Sequence, residues 1–220
     1  MNILFEGSER QNIVLIGAGG HAKVAAEIAS MIGFDITSYV DDNKALWLDS
    51  PQWTDEVAQQ HFRTIKGTQY FIGLGGQTVS SLQKRYQLFL KYADGNTSIS
   101  PILIHPRAVV SESSRVGMGS LICAGAIVQP MAEIGNCVIL NTGSIIEHDC
   151  RIGDGTHIAP GAIILGNVTI GKHCMIGSGA ILLPGVNIPN DTLIKANSLT
   201  KAAATLTAPT EITTSTTRTI

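Results

Sequence analysis

IGNCVILNTGSIIEHDCRIGDGTHIAPGAIILGNVTI, residues 134–170, repeats with a period of six. Ile134, Leu140, Ile146, Ile152, Ile158, Ile164 and Ile170 stand at one phase, and the register extends back through Val128, Ile122, Val116 and Val110 to Ile104. Forward it runs through Ile176, Leu182, Ile188 and Ile194, so sixteen consecutive positions are aliphatic. The residue two before each is small at nearly every step, as at Ala126, Ala132, Ser144, Cys150, Thr156, Ala162, Cys174 and Ala180. Helices repeat at 3.6 and strands at 2, so neither accounts for the pattern. One large and one small inward position every six residues mark a parallel β-helix of hexapeptide repeats. Three hexads close one triangular coil, which makes about five coils and a column roughly 25 Å tall. Each buried aliphatic side chain contributes about 1.5–3 kcal/mol, so this column is the main stabilising core.

Upstream the period changes. Residues 12–16 read as a strand rich in β-branched residues that ends in Gly17-Ala18-Gly19-Gly20-His21. From Ala22 the spacing of Val24, Ala25, Ile28 and Ile32 is helical, with Gly33 placed to stop it. A second strand over 36–40 ends in Asp41-Asp42, and a third over 70–74 ends in Gly75-Gly76. Residues 44–66 read as a loop followed by a short helix, and Val79, Leu82, Tyr86, Phe89 and Ala93 mark a helix ended by Asp94-Gly95-Asn96. Strand, glycine turn, helix, strand and acidic end open a Rossmann-like α/β unit. The organisation is an N-terminal extension (1–11), a Rossmann-like domain (12–96), an all-β parallel β-helix (97–200) and a low-complexity tail (201–220) in which eight of twenty residues are Thr.

A formal net charge of −2 gives no electrostatic reason to expect nucleic acid or an anionic membrane as partner. The chain has no apolar run long enough to span a membrane, and residues 1–11 lack the apolar middle of a signal peptide, so it reads as cytoplasmic. Cys150 and Cys174 fall in the small inward slot, while Cys123 and Cys137 fall at other phases and form no CxxC pair, so all four are expected to be free structural thiols. The six His show no close pair and no carboxylate cluster beside them, and no metal is expected.

Two places could carry chemistry. Gly17, Gly19 and Ala22 match G-x-G-x-x-A, and bare glycines at a helix N-terminus let a phosphate or sugar approach backbone N–H groups. The same glycines suit a plain tight turn, or, with Asp41, a dinucleotide site. In the column, Glu147-His148-Asp149 departs from the Gly-rich filling of the other hexads and puts an imidazole beside a carboxylate at an outward position. That pairing fixes the tautomer and leaves the other ring nitrogen as a proton acceptor. His157 lies one and a half hexads on, at a different part of the triangle, so one copy is poorly built to bring both to one ligand. Outward Ile127, Ile139, Ile145 and Ile163 give the prism apolar faces that closed cyclic association would bury.

Gly17-Ala18-Gly19-Gly20-His21, the Asp41-Asp42 pair, Gly75, and the run 141–150 followed by His157 resemble the hexapeptide-repeat sugar acetyltransferases. The resemblance covers about residues 12–200 and is nearest to the bacillosamine-pathway enzyme, with sialic acid O-acetyltransferases and perosamine N-acetyltransferases similar. It implies a left-handed β-helix, a homotrimer with active sites between subunits, and acetyl-CoA as co-substrate. It assigns His148 as general base with Asp149 raising its basicity, and His157, Ser178 and Ala196 to acetyl-CoA. It places a nucleotide-sugar along Gly19, Gly20 and His21, with Asp41, Asp42 and Gly75 at its nucleotide end and Asn141 orienting the sugar. The implied reaction is N-acetylation of a UDP-4-amino-4,6-dideoxy sugar, giving UDP-N,N'-diacetylbacillosamine. Sugar O-acetylation or acetylation of GDP-perosamine are alternatives within the family. A nucleotide-binding structural trimer and a nicotinamide-dependent oxidoreductase are the rival classes, although the N-terminal unit is small for a full dinucleotide fold.

Overall fold

Residues 10–93 and 99–201 are described by the structure, a computed structural model. Most of the expected extension, the helix-ending Asp94-Gly95-Asn96 and the Thr-rich tail lie outside the described residues. The N-terminal part runs β1 (Gln11–Ile16), α1 (Gly20–Met31), β2 (Phe34–Val40), β3 (Gln52–Trp53), α2 (Asp55–Thr64), β4 (Gln69–Ile72) and α3 (Val79–Ala93). Its four strands are all parallel, in the order β3-β2-β1-β4.

Both faces of that sheet are covered, so β1 carries an unbroken buried run from Ile13 to Ile16 instead of alternating. Ile13 and Leu15 pack with α1 and with Leu103, Leu121 and Cys123 of the column. Val14 and Ile16 pack with Ala58, Phe62, Phe89, Tyr92 and Cys137. The buried stripe of α1 is Ala22, Ala25, Ala26, Ile28 and Ala29, while Val24 faces outward, unlike the expected face. Small alanines win the buried positions because α1 packs closely against both the sheet and the first strand of the column. α3 likewise buries Arg85 alongside Leu82, Phe89 and Tyr92, a cation where the sequence pattern calls for an apolar residue.

From Leu103–Ile104 to Leu199–Thr200 a two-residue strand recurs every six residues, and the strands stack into three parallel sheets of six, six and five. This is the left-handed parallel β-helix of hexapeptide repeats. The inward aliphatic residues from Ile122 to Ile194 are all buried, as are the small residues two before each, and the apolar members of both sets form one core cluster. Thr200 fills the inward slot of one further strand beyond Ile194.

The three outward faces differ. One, carrying Leu103, Leu121, Ile139 and His157, lies under the α/β part and is buried. Ile139, expected as an outward apolar residue open to association, is therefore only 1 % exposed. The second carries Val109, Ile127, Ile145, Ile163, Ile181 and Leu199 in one ladder, uncovered, with Val109 63 % exposed. The third carries Arg115, Glu133, Arg151, Thr169 and Asn187, with Glu133 between the two guanidinium groups at 3.8 and 3.7 Å.

α3 is the clamp between the two parts. Arg85 Nη2 donates to the Gly155 carbonyl (2.8 Å), Tyr86 Oη to Asp154 (3.2 Å) and Gln83 Nε2 to Asp191 (2.9 Å). The sheet-end crevice described next is thus held against the flank of the column.

Candidate active site

β1 lies between β2 and β4, and the connections from it leave on opposite sides, so a crevice opens at the carboxyl ends of β1 and β4. Gly17 begins the turn there at φ +87°, where a Cβ would strike Leu74 at 2.7 Å, so only glycine fits. Gly19 is the N-cap of α1 and supplies no side chain to satisfy the first N–H groups, and the space beside Gly19 and Gly20 is open. Those N–H groups and the positive end of the helix suit an anionic group. Gly75 crosses the crevice close to His21, its notional Cβ 3.3 Å from the His21 Cβ. Asp41 closes the turn from below: Oδ2 accepts from the Ala18 N–H (2.8 Å) and Oδ1 from the Asn43 N–H (2.9 Å). Trp47 Nε1 donates to the Ala18 carbonyl (2.9 Å). Asp41 thus shapes the turn, and its neighbour Asp42 is exposed.

His157 joins this crevice to the column. It is 7 % exposed, and its Nδ1 lies 2.8 Å from the Gly76 carbonyl. A carbonyl only accepts, so Nδ1 carries the proton and Nε2 accepts from Asn141 Nδ2 at 3.1 Å. Asn141 Oδ1 in turn accepts from the Thr142 N–H (2.8 Å). The His21 ring stands 6.4 Å from that of His157, with its Nε2 buried and lacking a protein partner. Gly75, His21, Gly76, His157 and Asn141 therefore form one continuous wall from the sheet edge to the column.

Burial, His157 and the Arg85 guanidinium together lower His21 to about 4. Burial lowers His157 to about 4 as well, with the Gly76 hydrogen bond opposing and Arg85 assisting. Both folded-state values lie below the unfolded value, so the unfolded chain binds more protons between them. Their stabilisation is complete above pH 6.5 and is lost as pH falls toward 4. Each contributes on the order of 3 kcal/mol, less than additively because the two rings repel when both are charged. Urea midpoints measured from pH 7.5 down to 4.5 are expected to fall through this window, and His157→Gln is expected to flatten the fall; a midpoint independent of pH would contradict the assignment.

His148 and Asp149 stand at a corner of the prism, after the strand Ile145–Ile146. Asp149 takes the left-handed conformation the corner demands (φ 61°), which Asp tolerates better than most residues. From there its Oδ2 sits 2.8 Å from His148 Nδ1. A carboxylate only accepts, so Nδ1 carries the proton and Nε2 is left as a base, on a side chain 62 % exposed. The ring lies over Gly166 of the next coil. Ser178 and Ala196 are both exposed and stand on a different corner, two and three coils on from the one that begins with Asn141. The two corners border the ladder of Val109, Ile127, Ile145, Ile163, Ile181 and Leu199 from its two edges. Within one chain a prism face separates the His148 dyad from Asn141 and the crevice.

The sequence does not single out Arg85 or Gly166, and it marks Gly76 only as part of the glycine end of the third strand, not as the carbonyl that holds His157. An arginine on an amphipathic helix looks solvated, yet Arg85 is 2 % exposed and bonds the Gly155 carbonyl. Gly166 had a signal: every eighteenth residue through His148 gives Pro130, His148, Gly166 and Pro184. The four cysteines are free and buried, with Cys123 pushed up to about 12 and Cys174 to about 11 by burial, so no thiolate nucleophile is at hand near neutral pH. Among the described residues no group of three or more His, Cys, Asp or Glu could hold a metal ion, and no helix is long and apolar enough to cross a membrane.

Residues 12–85 match the PglD N-terminal domain, and residues 131–166 match the bacterial transferase hexapeptide (six repeats). PerB from Caulobacter crescentus, solved in complex with CoA and GDP-perosamine, is 32 % identical over 86 % of this chain and 88 % of its own, with a TM-score of 0.77. The chain belongs to the hexapeptide-repeat sugar acetyltransferases. The acetyltransferase domain of PglB from Neisseria gonorrhoeae is 28 % identical, covering 87 % of this acetyltransferase and 91 % of that chain at a TM-score of 0.77, and it has also been solved with acetyl coenzyme A. WeeI from Acinetobacter baumannii, 22 % identical over 86 % and 93 % of the two chains (TM-score 0.63), shares the fold of this acetyltransferase. No match emerged among curated proteins.

Proposed function

We propose that this enzyme transfers acetyl from acetyl-CoA to the 4-amine of a nucleotide-linked amino-deoxy sugar, of the UDP-4-amino-4,6-dideoxy-N-acetylglucosamine type, to make a diacetylated sugar nucleotide for glycan assembly in the cytoplasm. The observation that carries the proposal is the His148–Asp149 pair, an imidazole with one nitrogen tied to a carboxylate at 2.8 Å and the other open. The sugar amine attacks the thioester carbonyl carbon, and the carbonyl becomes an oxyanion. His148 Nε2 takes the proton that the amine loses, then returns it to the departing CoA sulfur as the carbonyl re-forms. The products are an amide and free CoA thiol, with no acyl-enzyme.

The oxyanion needs an N–H donor. Pro130, two coils before, and Pro184, one coil after, occupy the positions equivalent to Gly166, so the N–H at this position is not required for coil stacking. The Gly166 N–H, beside the His148 ring, makes no hydrogen bond among the described residues and is available for the task. The diphosphate lies on the Gly19, Gly20 and His21 end of α1, the nucleoside reaches Asp41, Asp42 and Gly75, and Asn141 with His157 faces the sugar and thioester. The pantetheine arm follows the corner of Ser178 and Ala196. The uncovered apolar ladder supports a homotrimer in which His148 of one copy meets the crevice and CoA corner of its neighbour across that ladder. PerB's ligands support a second reading for the nucleotide, a GDP-linked amino sugar.

Release of free thiol from acetyl-CoA, followed with UDP-, GDP-, dTDP- and CMP-linked sugars, tests the reading. Turnover is expected with a 4-amino sugar nucleotide, UDP-linked first. Thiol release with hydroxyl acceptors alone, or with none of the panel, would refute it.

A further inference from the structure

Resting on the reading of His148 as general base, we infer that Gly166 is a positioning residue, the absence of its side chain making the seat on which the imidazole lies. A Cβ at Gly166 would come within 2.7 Å of both Cε1 and Nε2 of His148 and 3.4 Å of Cδ2. The ring edge that carries the base nitrogen therefore occupies the volume a methyl group would need.

The fold itself does not ask for glycine here. Gly166 is not among the residues with positive φ, so its backbone is open to any residue. The equivalent positions one coil before His148 and one coil after Gly166 hold Pro130 and Pro184, and the position one coil before Gly166 holds His148 itself, so this corner column accepts side chains throughout. Stacking around Gly166 is made by the backbone alone: the Asn167 N–H donates to the His148 carbonyl (2.9 Å) and the Gly185 N–H to the Gly166 carbonyl (3.1 Å). Neither bond involves a side chain. What glycine permits at this one position is the imidazole.

The consequence is a two-point restraint on a side chain that is otherwise mostly exposed. Asp149 holds Nδ1 and sets the tautomer. Contact with the next coil at Gly166 limits rotation about the Cβ–Cγ bond and so sets the direction of Nε2. Without that contact the Asp149 bond alone would let the ring swing toward solvent.

Gly166→Ala tests this, because alanine keeps the backbone N–H and adds only the methyl group. The ring must move by somewhat under about 1 Å, and misplacement on that scale lowers turnover by about tenfold to 10²-fold. The expected result for Gly166→Ala is a fall in kcat of that size, with KM for acetyl-CoA and for the sugar nucleotide within about twofold and with the melting temperature and assembly unchanged. In a His148→Ala background the same substitution is expected to change kcat by less than about twofold, because the group it acts through is gone. An equal fall in both backgrounds would place the effect on the thioester or the fold and overturn the inference, as would wild-type turnover in Gly166→Ala while His148→Ala is slow. If His148→Ala alone turned over normally, the general-base reading itself would be the part that fails.

Discussion

His148→Ala is expected to lower kcat by about 10²-fold or more, the usual scale for losing a general base, with KM for both substrates changed little. The side chain is mostly exposed and, among the described residues, its ring makes no hydrogen bond beyond Asp149, so removing it is expected to leave stability within about 0.5 kcal/mol. That separation makes the variant informative: intact fold, intact substrate binding and slow chemistry together identify a proton acceptor. Steady-state thiol release beside a thermal melt measures both halves. Turnover near the wild-type value would remove His148 from the mechanism, and a collapse of stability would recast it as a structural residue.

The second large effect is expected from Ile145→Glu combined with Ile163→Glu. Both residues stand in the uncovered ladder, paired side by side in adjacent coils with side chains outside the column. Folding of the single chain does not bury them fully, whereas association of copies across this face would seal two unpaired carboxylates away from water at several kcal/mol each. Since about 1.4 kcal/mol is tenfold in affinity, the dissociation constant of the assembly should rise by well over about 10²-fold. On the proposed shared-site reading, kcat/KM at low protein concentration should fall in parallel, because His148 and the crevice stand on opposite edges of this face in one chain and a neighbouring copy would bring them together. Light scattering with circular dichroism and an activity assay would check all three expectations. A full-sized, fully active assembly would mean that copies do not meet here.

The same two experiments mark how far the residues alone carry the argument. His148 stands out in the sequence because Glu147-His148-Asp149 interrupts a run of otherwise bland hexads, and local geometry suffices for that pair: adjacent residues at a corner cannot help being close. His157 was different. Its outward position was readable, but its burial, its neutral state and its bond to Gly76 depend on a contact between residues 81 apart in the chain. Arg85 is illegible in the sequence for the same reason, since its carbonyl partner Gly155 is 70 residues away. β3 carries no legible signal either, because a two-residue strand such as Gln52–Trp53 has too few positions to display a period.

What the residues determined by themselves is everything periodic or adjacent: the six-residue column, inward against outward along it, the glycine turn after the first strand, and the imidazole beside its carboxylate. These follow from short-range sterics and from burying one residue in six, which any copy of the pattern must satisfy. The tertiary structure alone decided which apolar face is spent inside the chain and which stays open. Ile139 and Ile145 sit at the same outward phase, in consecutive strands, and nothing local distinguishes them. The docking of α1, the sheet and α3 against one side of the prism covers Ile139 and leaves Ile145 only partly buried, and so fixes both where the sheet-end crevice meets the column and which apolar face stays open.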